Sequence, residues 1–293
     1  MPNYAREISR TFDAGLTPRL DIRTVSGSVE VRGEDRSDIR ICLKARFRAS
    51  TDEEAAQLIR AIEDGLSVEG DRVGVHSPDA DGGSVFGTLR QVFGHGRHLE
   101  TEVEVVAPRG CSLALHLVNG PATVTRVGGN TRVHMVNGRF EVADVGGDLS
   151  VHHVNGRGAI RNVAGSVEMH YTNGALEIDR AGGDVNLHLV NGRVEIRDPG
   201  GDVSVRGVSG SFELTGAIRG DVKVSNSHGR IILNVPGNSR FKLDARSAIG
   251  TVSSEFDVRD TADVQGDAPH VDLRSETGRI ELRALREAQP AGV

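Results

Sequence analysis

The sequence predicts an all-β protein built as a parallel β-solenoid with 18-residue rungs and one short capping α-helix near its N-terminal part. Three observations lead to that fold. An Asn-Gly pair returns every 18 residues, at Asn119-Gly120, Asn137-Gly138, Asn155-Gly156, Asn173-Gly174 and Asn191-Gly192, and Ser209-Gly210 continues the series. Midway between these lies a second series, Gly128-Gly129, Gly146-Gly147, Ala164-Gly165, Gly182-Gly183 and Gly200-Gly201, so every repeat has two turns. Aliphatic residues alternate with polar ones between the turns, as in the in-phase column Val124, Val142, Ile160, Ile178, Ile196 and Leu214. Alternation of this kind is strand patterning, and a fixed short period marks units that bury their apolar faces only by stacking.

Composition agrees with a stack more than with a globule. Apolar residues make up 37% of the 293 positions, aromatics only 3%, and there is no Trp, so branched aliphatics in strands must supply the core. The 37 glycines recur at fixed places, which assigns them to turns. A formal charge of -6 gives no electrostatic footprint for nucleic acid. The start, MPNYAREISRTFDAG, has no apolar core and no window is apolar enough for a membrane span, so the expectation is a cytoplasmic protein. Cys42 and Cys111 are far apart in the sequence and read as free thiols.

The elements follow in order. Residues 1–110 form an N-terminal β region with degenerate repeats: Leu20, Ile22 and Val25 lead into Ser26-Gly27, and Ile39, Ile41, Leu43, Ala45 and Phe47 alternate as a strand. Thr51 with Glu54 makes a capping box, Ala55, Leu58, Ile59 and Ile62 fall at helical spacing, and Gly65 stops the turn, so a helix covers residues 51–65. Residues 77–98 form a flexible, glycine-bracketed loop, in which Phe86, Leu89 and Phe93 are candidate contacts for a partner. The regular array occupies residues 111–230, each repeat reading as two strands of about six residues. A one-residue slip follows at Ala217 to Gly220, an irregular β cap fills residues 231–286, and residues 287–293 are a frayed tail.

Two topologies fit a glycine every nine residues. A meander of Asn-Gly hairpins leaves one apolar face needing a separate cover, and the chain offers a single helix for that task. A solenoid buries both apolar faces against each other, with a right-handed coil expected from the crossover rule. Neighbouring rungs then lie about 4.8 Å apart, so each turn must repeat the same compact shape. Glycine allows positive φ there, and the Asn amides can bond to one another up the stack.

These phrases resemble the bacterial β-strand-repeat family of adhesin-like proteins, a domain of unknown function. The residues that carry the resemblance are the opening LDIRTVSGSVEVRG, the entry ETEVEVVAPRGCSLALHLVNG, the repeated VNG and VGGD, and the closing VDLRSETGRIEL. The resemblance implies a β-helix-like fold and no established enzymatic activity.

One constellation could carry chemistry. His116, His134, His152, His170 and His188 also recur at 18 and are expected as an outward column of neutral stacked rings, with His153 facing the other way. They are candidate metal ligands, although the flanking Ala114, Arg132, Ser150, Glu168 and Asn186 add one carboxylate only. On the opposite sheet, Glu141, Glu177, Glu195 and Glu213 run beside Arg139, Arg157, Arg193, Arg161 and Arg197, alternating charge expected of a solvated face. No nucleophile motif, phosphate loop or cysteine metal spacing occurs, so neither an enzyme activity nor a cofactor is expected. The predicted function is a non-enzymatic scaffold that presents repetitive sheet faces to a protein partner or to itself. The alternatives are a metal-binding surface protein using the histidine ladder, and a β-helix that binds or acts on polysaccharide.

Overall fold

The computed structural model describes residues 2–78, 99–256 and 268–285. Two compact units divide the chain, Met1–His153 and Val154–Val293. The first contains β1 (Asn3–Asp13), β2 (Arg19–Glu34), β3 (Asp38–Arg48), α1 (Asp52–Asp64), β4 (Leu66–Glu69), β5 (Arg72–His76), β6 (Glu100–Pro108), β7 (Ser112–Asn119), β8 (Ala122–Thr125) and β9 (Thr131–Val145). A further strand, β10 (Leu149–Val163), carries the chain into the second unit, which holds β11 (Val167–Ala181), β12 (Val185–Arg197), β13 (Val203–Thr215), β14 (Val222–Pro236), β15 (Lys242–Ser254) and β16 (His270–Leu285). Among the described residues no helix is long and apolar enough to cross a membrane.

Pairing between rungs is parallel and keeps the sequence period. In the first unit Leu113 lies beside Thr131, His116 beside His134 and Asn119 beside Asn137, while on the return arm Ala122 lies beside Phe140 and Val124 beside Val142. In the second, Val167 lies beside Val185 and Ile178 beside Ile196. Both arms share one offset of 18 residues, so the fold is the solenoid and not the meander.

The rungs differ from the expectation in one respect. Where the sequence suggested two short strands, β9, β11 and β12 each run as a single strand of 15, 15 and 13 residues through the Asn-Gly pair. The ladder does not break there because the corner glycine still bonds across rungs, as Gly120 N–H does to the Asn137 carbonyl at 3.1 Å. The second corner begins two residues before the glycine pairs. Arg126 and Asp144 in the first unit, and Asn162, Arg180 and Asp198 in the second, hold positive φ between 47° and 59°. Asp and Asn suit that left-handed conformation, whereas the two arginines adopt it against their preference. Each of the first four is followed by a buried apolar residue, Val127, Val145, Val163 or Ala181, that closes this end of the core.

Valine, isoleucine and leucine fill the interior in straight columns. Leu115, Val133 and Val151 form one in the first unit, and Ile160, Ile178, Ile196 and Leu214 one in the second, all fully buried. A further inward column stands next to the Asn-Gly corner: Leu117, Met135 and His153 in the first unit, Tyr171 and Leu189 in the second. His153 lies edge-on to Phe140, ring centroids 5.2 Å apart.

The first unit begins with a departure from the stack. β2 is a full rung whose first arm lies between β5 and β7 and whose second arm lies between β6 and β8. Beyond β6 the pairing turns antiparallel, to β3 and then β1. Helix α1 is capped by Thr51, whose side chain accepts from Glu54 N–H at 3.3 Å, while Glu54 reaches back to the Ser50 N–H at 2.6 Å. It is tied to β1 by Tyr4 donating to Asp52 at 2.7 Å and by the Arg6–Glu63 pair at 2.9 Å. Gly65 closes the helix in ordinary right-handed geometry with φ −70°. Its missing side chain serves contact instead, because a Cβ there would overlap the His76 carbonyl oxygen of β5.

The second unit ends out of sequence order, with strands arranged β11-β12-β13-β14-β16-β15. The offset from β13 to β14 grows to 19, with Gly229 beside Gly210. The final strand β16 then inserts between β14 and β15, with Val222 on one side of Val271 and Leu243 on the other.

Candidate functional site

Period two sends the residues between the core columns outward, and the stack turns each into a straight ladder. In the first unit the register sets Arg23 beside His116 and His116 beside His134. The rings of His116, His134 and His152 stack at centroid distances of 4.8 and 4.7 Å, with planes 6° and 8° apart. In the second unit His170 and His188 stack at 4.9 Å and 5°, and the register places Arg206 beside His188.

This geometry bears on the metal reading. Imidazole lone pairs lie in the ring plane, so near-parallel rings aim them side by side and not at a common point. Two nitrogens on one zinc stand no more than about 4.2 Å apart, twice the usual bond, which is less than the rung spacing. Single-ion chelation by neighbouring rings therefore requires them to leave the stack. Among the described residues no group of three or more His, Cys, Asp or Glu is placed to hold a metal ion.

Burial lowers the pKa of His116, helped by the Arg23 and Arg132 charges and His76, and opposed by Asp21. Burial also lowers that of His134, together with His116, His152 and Arg132. Two imidazolium charges one rung apart repel by about 1 kcal/mol even at the dielectric of water. Both folded pKa values thus lie below the unfolded value of about 6.5. As pH falls the unfolded chain takes up these protons first, so the stability linked to them is intact above about 6.5 and is lost below it. The double variant His116→Gln/His134→Gln should lose less melting temperature than the wild type between about pH 7 and pH 5. Parallel losses in the two proteins would contradict the coupling.

A valine ladder stands next to the histidines and was not singled out from the sequence. Val118 and Val136 in the first unit, and Val154, Val190 and Val208 in the second, are exposed at 37–50%. Val118, Val136, Val154 and Val190 each lie two residues on from a histidine and so on the same outward face, with Thr172 after His170 and Val208 after Arg206, so the alternation alone could have revealed an imidazole and valine ridge.

The opposite outer face is charged and internally paired. In the second unit Glu177 and Glu195 both bind Arg197, the latter at 2.6 Å, and Asn234 donates to Glu213 at 2.8 Å. Burial acts to raise the pKa of Glu281, but Arg283, Arg279 and Arg230 around it win and hold the carboxylate below its usual range. Arg193 stands beside Ala175 and Ser211 in the ladder. These groups neutralise one another along the face instead of converging on one point.

At the corner between the faces the Asn side chains bond in series. Asn137 donates to Asn119 at 2.9 Å in the first unit, and Asn173 to Asn155 at 3.0 Å and Asn191 to Asn173 at 3.3 Å in the second. Their partners Gly120, Gly138, Gly156, Gly174 and Gly192 all hold positive φ between 135° and 147°. Tyr171 seals the corner from inside by donating to the Gly156 carbonyl at 2.6 Å, and burial pushes its pKa up to about 12. Two open hollows lie elsewhere: one of about 610 Å³ around Lys44, Arg46 and Thr101, another of about 500 Å³ around Ser253, Arg279 and Arg283. Phe86, Leu89 and Phe93 lie outside the described residues.

Comparison with curated proteins finds no match. Among solved structures the chain is similar to a protein from Clostridium sporogenes ATCC 15579 provisionally named for cell adhesion, at 10% identity over 96% of this chain and 100% of that one, with a TM-score of 0.24. It is also similar to a protein from Bacteroides fragilis NCTC 9343 provisionally named an adhesin, at 11% identity over 94% and 97% of the two chains, with a TM-score of 0.37. The family model described as Toastrack DUF4097, a domain of unknown function, matches residues 17–283. With nearly the whole repeat array inside that match, the chain belongs to the Toastrack DUF4097 family.

Proposed function

We propose that the protein is a non-enzymatic interaction scaffold whose flat ladder faces receive a protein partner or a second copy of the chain. The observation that carries this reading is the repetition of one outward side chain at the same place on successive rungs, imidazole beside valine on one face and paired Glu and Arg on the other. Catalysis needs unlike groups gathered around one substrate, whereas ladders offer like groups along a line. A sugar-binding face would call for exposed aromatic rings in a row. Tyr171, Phe140, Phe212 and Phe241 are instead buried, and Tyr4 stacks on Phe47.

A photo-crosslinking residue placed at His134, and separately at Glu195, tests the reading in the protein's native cells. The expected result is a protein adduct from one face and none from the other. Absence of protein adducts from both faces, together with retention of a polysaccharide on the purified chain, would contradict it.

A further inference from the structure

The outer edge of the second unit is β15, which among the described residues pairs with β16 alone. Among the described residues half of its hydrogen-bonding capacity is used. Lys242 N–H donates to the Pro269 carbonyl at 2.9 Å. The N–H and C=O of a strand residue point to one side and alternate along the strand, so Lys242, Asp244 and Arg246 bond to β16. Leu243, Ala245 and Ser247 therefore aim their backbone groups at the open edge. Among the described residues the core is also uncovered here. Leu243, Ala245 and Val252 continue the inward columns of Val271, Leu273 and Ile280, yet those three are fully buried and Val252 is 44% exposed. No residue of β15 is buried.

An uncovered strand edge is a template for another strand. We propose that β15 is the interface of a two-fold homodimer, pairing antiparallel with β15 of a second copy so that Ala245 stands opposite Ala245. This goes beyond the scaffold reading, since it uses the strand edge and leaves both ladder faces free. The charges favour one register, because centring on Leu243 pairs Lys242 with Asp244 but sets Arg246 against Arg240. Centring on Ala245 sets Asp244 of each copy opposite Arg246 of the other, at the non-hydrogen-bonded positions where side chains come closest. Centring on Asp244 would oppose two aspartates and set Lys242 against Arg246; centring on Arg246 would oppose two arginines. Within one chain Arg246 already meets Asp244 at 2.8 Å, so the dimer closes a four-membered ring of alternating charge. The same centring matches the edge-facing residues with one another: Leu243 with Ser247, and Ala245 with itself. A two-fold interface requires that self-complementarity.

Light scattering on the full chain after size exclusion should give a dimer. Ala245→Pro removes a donor that faces only the open edge, a position where a strand tolerates proline. It should yield a monomer with the wild-type circular dichroism. Asp244→Arg should also give a monomer, and Asp244→Arg/Arg246→Asp should restore the dimer by restoring opposite charges in the same register. A monomeric wild type, a dimer that survives Ala245→Pro, or a double variant that fails to recover would overturn the inference. If the proline variant does not fold, the charge pair decides the matter alone. A monomeric wild type that still forms protein adducts from one ladder face would overturn the dimer and leave the scaffold reading standing.

Discussion

Gly174→Ala is expected to destabilise the second unit by about 4 kcal/mol, several times the roughly 1 kcal/mol expected for Asn173→Ala beside it. Two costs combine at the glycine. Its φ of 137° is one that side-chain-bearing residues rarely adopt, and an added Cβ would overlap the Gly156 carbonyl oxygen while standing 2.6 Å from the Tyr171 hydroxyl. The overlap cannot be relieved by a rotamer change, since it is with backbone of the preceding rung. Asn173 is exposed, and its loss removes only amide bonds at 3.0 and 3.3 Å. Denaturant unfolding of both variants, followed by circular dichroism, measures the contrast. Equal effects would mean that the corner is not packed as tightly as the stack requires.

Ending the chain after residue 267 is expected to be still more damaging, because the last described strand in sequence is a middle strand in space. It would remove Val271, Leu273, Ile280 and Leu282, each at most 1% exposed. At about 2 kcal/mol for each buried aliphatic side chain, about 8 kcal/mol of burial goes with them. β15 also loses the one strand it pairs with among the described residues, and β14 loses one of its two neighbours. The melting temperature should fall by roughly 20 °C. Hydrogen exchange should show residues 242–254 unprotected. Deleting residues 242–256 instead, which removes the edge strand and keeps the β14–β16 pairing, should cost far less. A comparable loss from the two deletions would argue against the inserted position of β16.

The repeat was legible because geometry constrains the residue type at each corner. Only glycine fits where a Cβ would meet the carbonyl one rung away, so Gly138 and Gly174 announce the stacking period directly. The histidine column followed from the same period. What lay beyond the sequence was whatever depends on neighbours and not on periodicity. Alternation in Ile39 to Phe47 is the same for parallel and antiparallel strands, so the turn to antiparallel pairing at β3 left no mark. Residues 231–286 read as an irregular cap, and nothing in the phrase Leu243, Ala245, Ile249-Gly250 and Val252 says that β15 is an edge rung with β16 slipped inside it. The left-handed corner at Arg126 and Arg180 was hidden because arginine carries no preference for that conformation.

An engineered disulfide tests the parallel register most directly. Glu177 and Glu195 are partners on adjacent strands, and parallel neighbours stand at a Cα separation of about 4.8 Å, within reach of a disulfide. In a hairpin closed at Gly182-Gly183, Glu177 would instead face His188. Cys42→Ser removes the half-exposed native thiol, while Cys111 is buried with its pKa pushed up to about 11, so it stays out of the reaction. In that background Glu177→Cys/Glu195→Cys should oxidise fully without loss of structure, and Glu177→Cys/His188→Cys should remain reduced. Cross-linking of the second pair and not the first would contradict the solenoid.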